Sequence, residues 1–295
     1  MSSSPEFSSS STTTSHVAAD EPPTWRPPRP NTTTPPPPAA ENMTSNSPPL
    51  DASNYPGGKK SLAGISLRAF LIGTTLGLSA SLTLTLRLFS DSPLWRVPFF
   101  LASLCVFHFL EYHVTAAHNT RYASVSAFLL SSNGWAYNIA HTSAALECLL
   151  AYFFYPRESY FTWSGPVAAL GGLKIQLVLG LVLMAVGQTI RTLAMAQAGS
   201  NFNHTVQVER KNGHMLVTHG VYAVLRHPSY FGFFWWGLGT QLVLGNVVCF
   251  VGYFVVLWKF FHSRIQREER FLIAFFGDEY VQYKKRSTVG IPGIW

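Results

Sequence analysis

Between Pro228 and Trp258 the chain runs for 31 residues without one Asp, Glu, Lys, Arg or His. As a single helix this stretch would be about 46 Å long, well beyond a bilayer core of about 30 Å. Gly245-Asn246, near its middle, is a turn signal. A helical hairpin with arms at 228–244 and 247–262 follows, and each arm is short enough that the hairpin must pack against other helices. Four earlier stretches are long and apolar enough to span, at roughly 62–86, 94–115, 135–155 and 173–198. The expected fold is an all-α integral membrane protein of about six transmembrane helices. Charged residues make up 12% of the chain, about half the share of a soluble domain, which agrees.

Three regions emerge. Residues 1–60 are rich in Ser, Thr, Pro and Asn, with four prolines at 35–38, and hold too few apolar side chains to offset the entropy of ordering them. They read as a disordered tail, and with no apolar core after a basic start they are not a secretory signal peptide. Residues 61–198 carry the first helices, and 199–295 hold the chemistry. The net charge of +7 does not point to nucleic acid, because the basic residues flank apolar spans, as at Lys59-Lys60 and Lys284-Lys285-Arg286. Lys59-Lys60, Arg121, Arg210-Lys211, Arg226 and the stretch 259–286 would be cytosolic. Arg87, Arg96, Arg157 and Lys174 would lie on the other side. Cys105, Cys148 and Cys249 sit within apolar stretches and offer neither a disulfide framework nor a zinc site. The sequons at Asn31, Asn42 and Asn203 would face the cytosol, away from glycosylation. No internal repeat supports a transporter plan.

Polar side chains concentrate in 199–227 and 259–295, and the hairpin between them brings both to one membrane surface. On a helix Arg264 and Glu268 share a face, with Arg267 one step round. Alone, such a pair is ordinarily a solvated ion pair worth less than about 1 kcal/mol. Here the helix continues from a span, so the pair sits at the bilayer boundary, where unpaired charge is costly. It also flanks the same hairpin as Arg226-His227-Pro228. Pro228 suits the first position of a helix, whose free amides form an anion site. Together these groups suit a zwitterionic ligand, with Glu268 on its amino group and His227 and the helix terminus on its carboxylate.

The run from Leu216 to Gly232 (Leu-Val-Thr-His-Gly-Val-Tyr-Ala-Val-Leu-Arg-His-Pro-Ser-Tyr-Phe-Gly) resembles the signature of the isoprenylcysteine carboxyl methyltransferases. So does Arg264 with Glu268-Glu269 and the following Phe-Phe-Gly-Asp-Glu-Tyr. The resemblance spans about 187–295; residues 61–186 share only hydropathy with the family, and 1–60 nothing. It implies a membrane fold, and no Gly-x-Gly-x-x-Gly of a soluble nucleotide-binding domain is present. It further implies S-adenosylmethionine contacts from Gln207, His214, Met215, Leu216, Val217, Tyr222, His227, Pro228, Ser229, Tyr230 and Glu268, with no metal. Met215 departs from the family pattern in a way an apolar contact tolerates. By the same resemblance Arg264 faces the substrate carboxylate, and Arg264, Glu268 and Arg226 form the catalytic set. The implied partner is the prenylated C-terminal cysteine of CaaX-type proteins. The implied location is the endoplasmic reticulum membrane, with the N-terminus and active site facing the cytosol.

That chemistry asks little of the protein. A C-terminal carboxylate has a pKa of about 3.5 and needs no general base. What remains is to desolvate it, aim it at the methyl carbon and exclude water. Arg264 neutralises and orients it; Arg226 either assists or makes a structural ion pair. The prenyl chain would enter sideways from the bilayer. His108, Glu111, His113, His118, His141 and Glu147 lack the tight histidine pairs of a di-iron site and read as satisfied polar residues at helix interfaces. Arg191 is either functional or reaches the membrane boundary. Phe231, Phe233, Phe234, Trp235 and Trp236 read as a membrane-interface belt. Two alternatives remain open: a phospholipid N-methyltransferase, which would favour a carboxylate over Arg264 at the acceptor, and a sterol reductase, whose ending resembles Gly290 to Trp295.

Overall fold

The computed structural model describes residues 51–90, 92–154, 175–210 and 212–295. Residues 1–50, with the sequons at Asn31 and Asn42, lie outside them, as do Arg157, Lys174 and Lys211. Among the described residues seven α-helices follow in order: α1 Leu62–Phe89, α2 Arg96–His118, α3 Gly134–Phe154, α4 Ile175–Ala198, α5 Pro228–Leu244, α6 Val248–Phe276 and α7 Asp278–Arg286. Among the described residues there is no strand, only an isolated parallel bridge between Leu225 and Thr288. Helices α1, α2, α4 and α6 are each long and apolar enough to cross a membrane by themselves. Helix α3 carries Asn138, His141 and Glu147, and α5 is 17 residues long; both fall outside that measure. Residues 51–60, which composition groups with the tail, form turns, and Lys59 O accepts the Val125 amide at 2.9 Å.

The short hairpin arm α5 is the centre of the bundle. Nearly every residue from Gly232 to Leu244 is buried or half-buried. Phe234 and Trp236 are 0% and 3% exposed and pack in the core. The belt reading of these aromatics is therefore wrong. The stretch is free of charge because it is surrounded by protein, and hydropathy alone does not separate that from lipid contact.

Close approach of α4 and α5 rests on two reciprocal glycine pairs. A Cβ on Gly187 would lie 2.6 Å from Gly232 O, and one on Gly180 would lie 2.9 Å from Gly239 O. Both helices repeat glycine every seven residues, so the antiparallel backbones meet twice on one stripe. The turn into α6 is made by Gly245, with φ at +79°, and by buried Asn246, which donates to Ala144 O and Gln241 Oε1, both at 2.9 Å. Arg96 donates to Leu244 O at the end of α5, and the Glu147 carboxylate accepts the amides of Val247, Val248 and Cys249 at the start of α6.

Several of the discounted polar residues are satisfied as expected. His108 bonds Phe128 O and the Tyr137 hydroxyl through its two ring nitrogens. His141 is satisfied only in part, since Nδ1 bonds the Tyr253 hydroxyl at 2.6 Å while Nε2 is buried without a partner. His113 and His118 differ: both are exposed, and His113 stacks on Phe109. They lie on the outer side of α2, so they are not at a helix interface.

Candidate active site

The hairpin does bring 199–227 and the end of α6 together. Between them opens a pocket with an empty volume of about 870 Å³ counted to its mouth. All eleven residues expected to contact the methyl donor line it: Gln207, His214, Met215, Leu216, Val217, Tyr222, His227, Pro228, Ser229, Tyr230 and Glu268. Arg226 lines it too. Phe271, Leu272, Phe275 and Phe276 complete an apolar wall that the sequence reading did not name. Their positions at 271, 272, 275 and 276 repeat the one-face spacing of a helix, a signal that was available.

Arg264 stands beside this pocket and is joined to it by a hydroxyl. The Tyr230 hydroxyl donates to Glu268 Oε2 and accepts from Arg264 Nε at 2.8 Å. Arg264 and Glu268 are thus not a solvated ion pair; a tyrosine from α5 bridges them. Arg264 Nη2 donates to His204 O, and its guanidinium lies 5.3 Å from the Tyr230 ring centre. His204 itself is held well below the usual histidine range, at about 4. Burial is the main cause, and Arg191 and Arg264 add to it against the pull of Glu111. Burial and nearby Glu268 push the Tyr222 phenol up, so it stays neutral and donates to Ala194 O at 3.2 Å. Tyr283, raised to about 12 by burial, donates to Tyr222 O.

The acidic neighbour Glu269 has a separate task. One helical step round from Glu268, it is buried and gathers Arg226 Nε at 2.7 Å, His227 Nε2 at 3.3 Å and Lys284 Nζ. Sequence reasoning treated the acidic pair as one feature and missed this division. His227 is consequently committed to Glu269, with its ring stacked on Tyr230. The start of α5 offers fewer free amides than expected, because His227 O takes those of Tyr230 and Phe231. Arg226 also donates to Ser287 O, yet its Nη2 is buried with no partner. The C-terminal segment closes this side: Thr288 exchanges backbone bonds with Val224 and Arg226 at 2.9 Å, and Val289, Ile291 and Ile294 enter the core.

Beneath the pocket lies Arg191. It is buried, paired with Glu111 of α2 through two contacts, and donates to both oxygens of Ser229. This resolves the open reading of Arg191 against the membrane boundary: it is an internal tie among α2, α4 and α5. Two cation–π contacts, to Phe107 and Phe233, surround it.

Four helices long and apolar enough to cross a membrane, with a pocket of mixed apolar and charged lining, fit a membrane-embedded enzyme. Among the described residues no group of three or more His, Cys, Asp or Glu is arranged to hold a metal ion. Residues 178–274 match the model of the isoprenylcysteine carboxyl methyltransferase (ICMT) family. The protein-S-isoprenylcysteine O-methyltransferase of Saccharomyces cerevisiae is 41% identical over 245 residues, 83% of this chain and 97% of that protein. The Homo sapiens protein of the same name is 41% identical over 230 residues, 78% of this chain and 75% of its own. A solved structure described as the eukaryotic intramembrane Ras methyltransferase ICMT shares the fold, with a TM-score of 0.67 and 34% identity. It covers 78% of this chain and 77% of that one. The chain belongs to the isoprenylcysteine carboxyl methyltransferase family and is a multi-pass membrane methyltransferase. The likeness is more than twice as long as 187–295, so it extends into the earlier helices, where the sequence alone offered hydropathy. These matches favour neither the phospholipid N-methyltransferase nor the sterol reductase.

Proposed function

We propose that this chain transfers a methyl group from S-adenosylmethionine to the C-terminal carboxylate of prenylated cysteine in CaaX-type proteins, giving a methyl ester. The observation that carries this is the Arg264–Tyr230–Glu268 connection at the edge of a pocket lined by every residue assigned to the donor. The pocket's residues fit a zwitterionic, aromatic ligand. Glu268 keeps Oε1 for an ammonium group. The orphaned Arg226 Nη2 and the Ser229 amide, which has no backbone partner, suit its carboxylate. The wall of Phe271, Phe275, Phe276 and Leu216 suits an adenine face. Bound there, S-adenosylmethionine supplies an electrophilic methyl on a sulfonium.

Arg264 binds and aims the acceptor. Its Nε and Nη2 are engaged, which fixes the guanidinium plane and leaves Nη1 for the carboxylate. The carboxylate arrives ionised, so no base is required; holding it against the donor and excluding water are the protein's tasks. The prenyl chain reaches the site sideways from the bilayer. We place the enzyme in the endoplasmic reticulum membrane with the N-terminus and pocket facing the cytosol. The basic residues Lys59, Lys60, Arg121 and Arg226 and those of 259–286 support that orientation.

The test is to incubate membranes containing the native chain with methyl-labelled S-adenosylmethionine and N-acetyl-S-farnesylcysteine. Base-labile methyl ester is the expected product. Label appearing in phospholipid amines instead, or none in either acceptor from folded protein, would overturn the reading.

A further inference from the structure

A second open pocket, with an empty volume of about 570 Å³, adjoins the first at the end of α2. Asn201, Phe202, Asn203, Gln207 and His214 line both, so the two pockets share a wall. The two pockets differ in chemistry. Against the aromatic wall of the first, the second is lined by five primary amides, of Asn119, Asn201, Asn203, Gln207 and Asn212. Arg121 is the one formally charged side chain among its described lining residues. We propose that this pocket receives the main chain of the substrate protein immediately upstream of its prenylated cysteine, which deepens and rests on the function proposed above.

Connectivity and matching chemical groups both lead to this pocket. Three chains leave the α-carbon of the terminal cysteine: the carboxylate, the thioether carrying the prenyl group, and the peptide. The carboxylate goes to Arg264 and the prenyl group to the bilayer, so the peptide needs a third exit next to the donor pocket, on the water side. A primary amide both donates and accepts without charge, which matches the N–H and C=O of a peptide unit whatever its side chains are. Part of this capacity is already spent within the protein. Asn119 donates to Phe202 O, Asn201 accepts from the Met215 amide, and Asn203 accepts from Thr205. Asn201 and Gln207 also donate to Ala198 O and Thr205 O, so the free capacity rests chiefly on Asn212 and Arg121, which are exposed and make no hydrogen bond among the described residues. The Arg121 guanidinium can donate to a carbonyl oxygen or to an occasional acidic side chain of the peptide. Sequence-independent reading of backbone is what an enzyme needs if its acceptors differ upstream of the cysteine.

The experiment compares two acceptors, N-acetyl-S-farnesylcysteine and a hexapeptide ending in S-farnesylcysteine, on the full-length native chain and on Asn212→Ala and Arg121→Ala. Both positions are exposed and outside the donor pocket, so the small acceptor serves as an internal control of folding. The expected result is a three- to tenfold rise (about one lost hydrogen bond) in KM for the hexapeptide, with KM for the small acceptor unchanged. Equal changes for both acceptors, or no change for the hexapeptide, would overturn the proposal while leaving the methyltransferase reading intact. A native chain that methylates neither acceptor would overturn both.

Discussion

Gly187→Ala should damage this enzyme out of proportion to one methyl group. The added Cβ would sit 2.6 Å from both Gly232 O and Trp236 N, and these backbone atoms have no rotamer to yield. Ordinary contact begins at 3.4 Å, so α4 and α5 would have to part by roughly 0.8 Å. One turn along α4 is Arg191, which ties Ser229 in the pocket wall to Glu111. Forcing the helices apart costs about 1–3 kcal/mol as overpacking, offset by up to about 1 kcal/mol of helix propensity. Displacing a reacting group by about 1 Å costs on the order of 100-fold in rate. The assay is methyl ester formation together with thermal unfolding of detergent-purified protein, beside Gly252→Ala, whose Cβ would meet nothing within 4 Å. Gly252→Ala should be neutral or slightly stabilising, whereas Gly187→Ala should unfold earlier and turn over far more slowly. A Gly187→Ala protein indistinguishable from that control would refute the close-packing argument.

Other consequences follow from single contacts. Glu269→Gln leaves Arg226, His227 and Lys284 without their shared carboxylate; breaking such a buried network should cost about 3–5 kcal/mol, read as a fall in the unfolding midpoint. Tyr230→Phe removes the hydroxyl between Arg264 and Glu268, and kcat/KM should fall about tenfold with the protein still folded. The folded-state value of His204, at about 4, lies below the 6.5 of an unperturbed histidine, so protons bind the unfolded chain more readily. Its contribution to stability is present above pH 6.5 and is lost as pH falls toward 4. The native unfolding midpoint should therefore drop more steeply across that window than that of His204→Gln, and parallel curves would count against it.

Hydropathy made the helices legible because a bilayer demands about 20 apolar residues in a row, and the Gly245-Asn246 turn divided the hairpin correctly. The same measure could not distinguish lipid from protein as the surroundings of an apolar face, since both are equally greasy. That is why Phe234 and Trp236 read as an interface belt and are instead core, whereas the shortness of the 228–244 arm did signal that it packs against other helices. The glycines at 180, 187, 232 and 239 were visible as letters, but their meaning lies in which helix faces which. The residues that line the pocket were legible because the motif keeps them close in sequence, on the two flanks of one hairpin. What joins them, the Tyr230 bridge, the Glu269 hub and the Glu111–Arg191 pair, depends on contacts between residues 15 to 80 positions apart, which spacing does not encode.

In the proposed mechanism Glu268 holds the donor and Arg264 the acceptor, and one experiment separates the two. Purified native, Glu268→Ala and Arg264→Ala proteins would be compared for S-adenosylmethionine Kd and for kcat/KM on N-acetyl-S-farnesylcysteine. Glu268→Ala is expected to weaken donor binding about tenfold or more through its lost charge-assisted bond. Arg264→Ala should hold donor affinity within about twofold while lowering kcat/KM by about 100-fold or more, as for loss of a group that aims and neutralises the reacting oxygen. Variants that impair both ligands alike, or that leave both untouched, would contradict the division of labour on which the account stands.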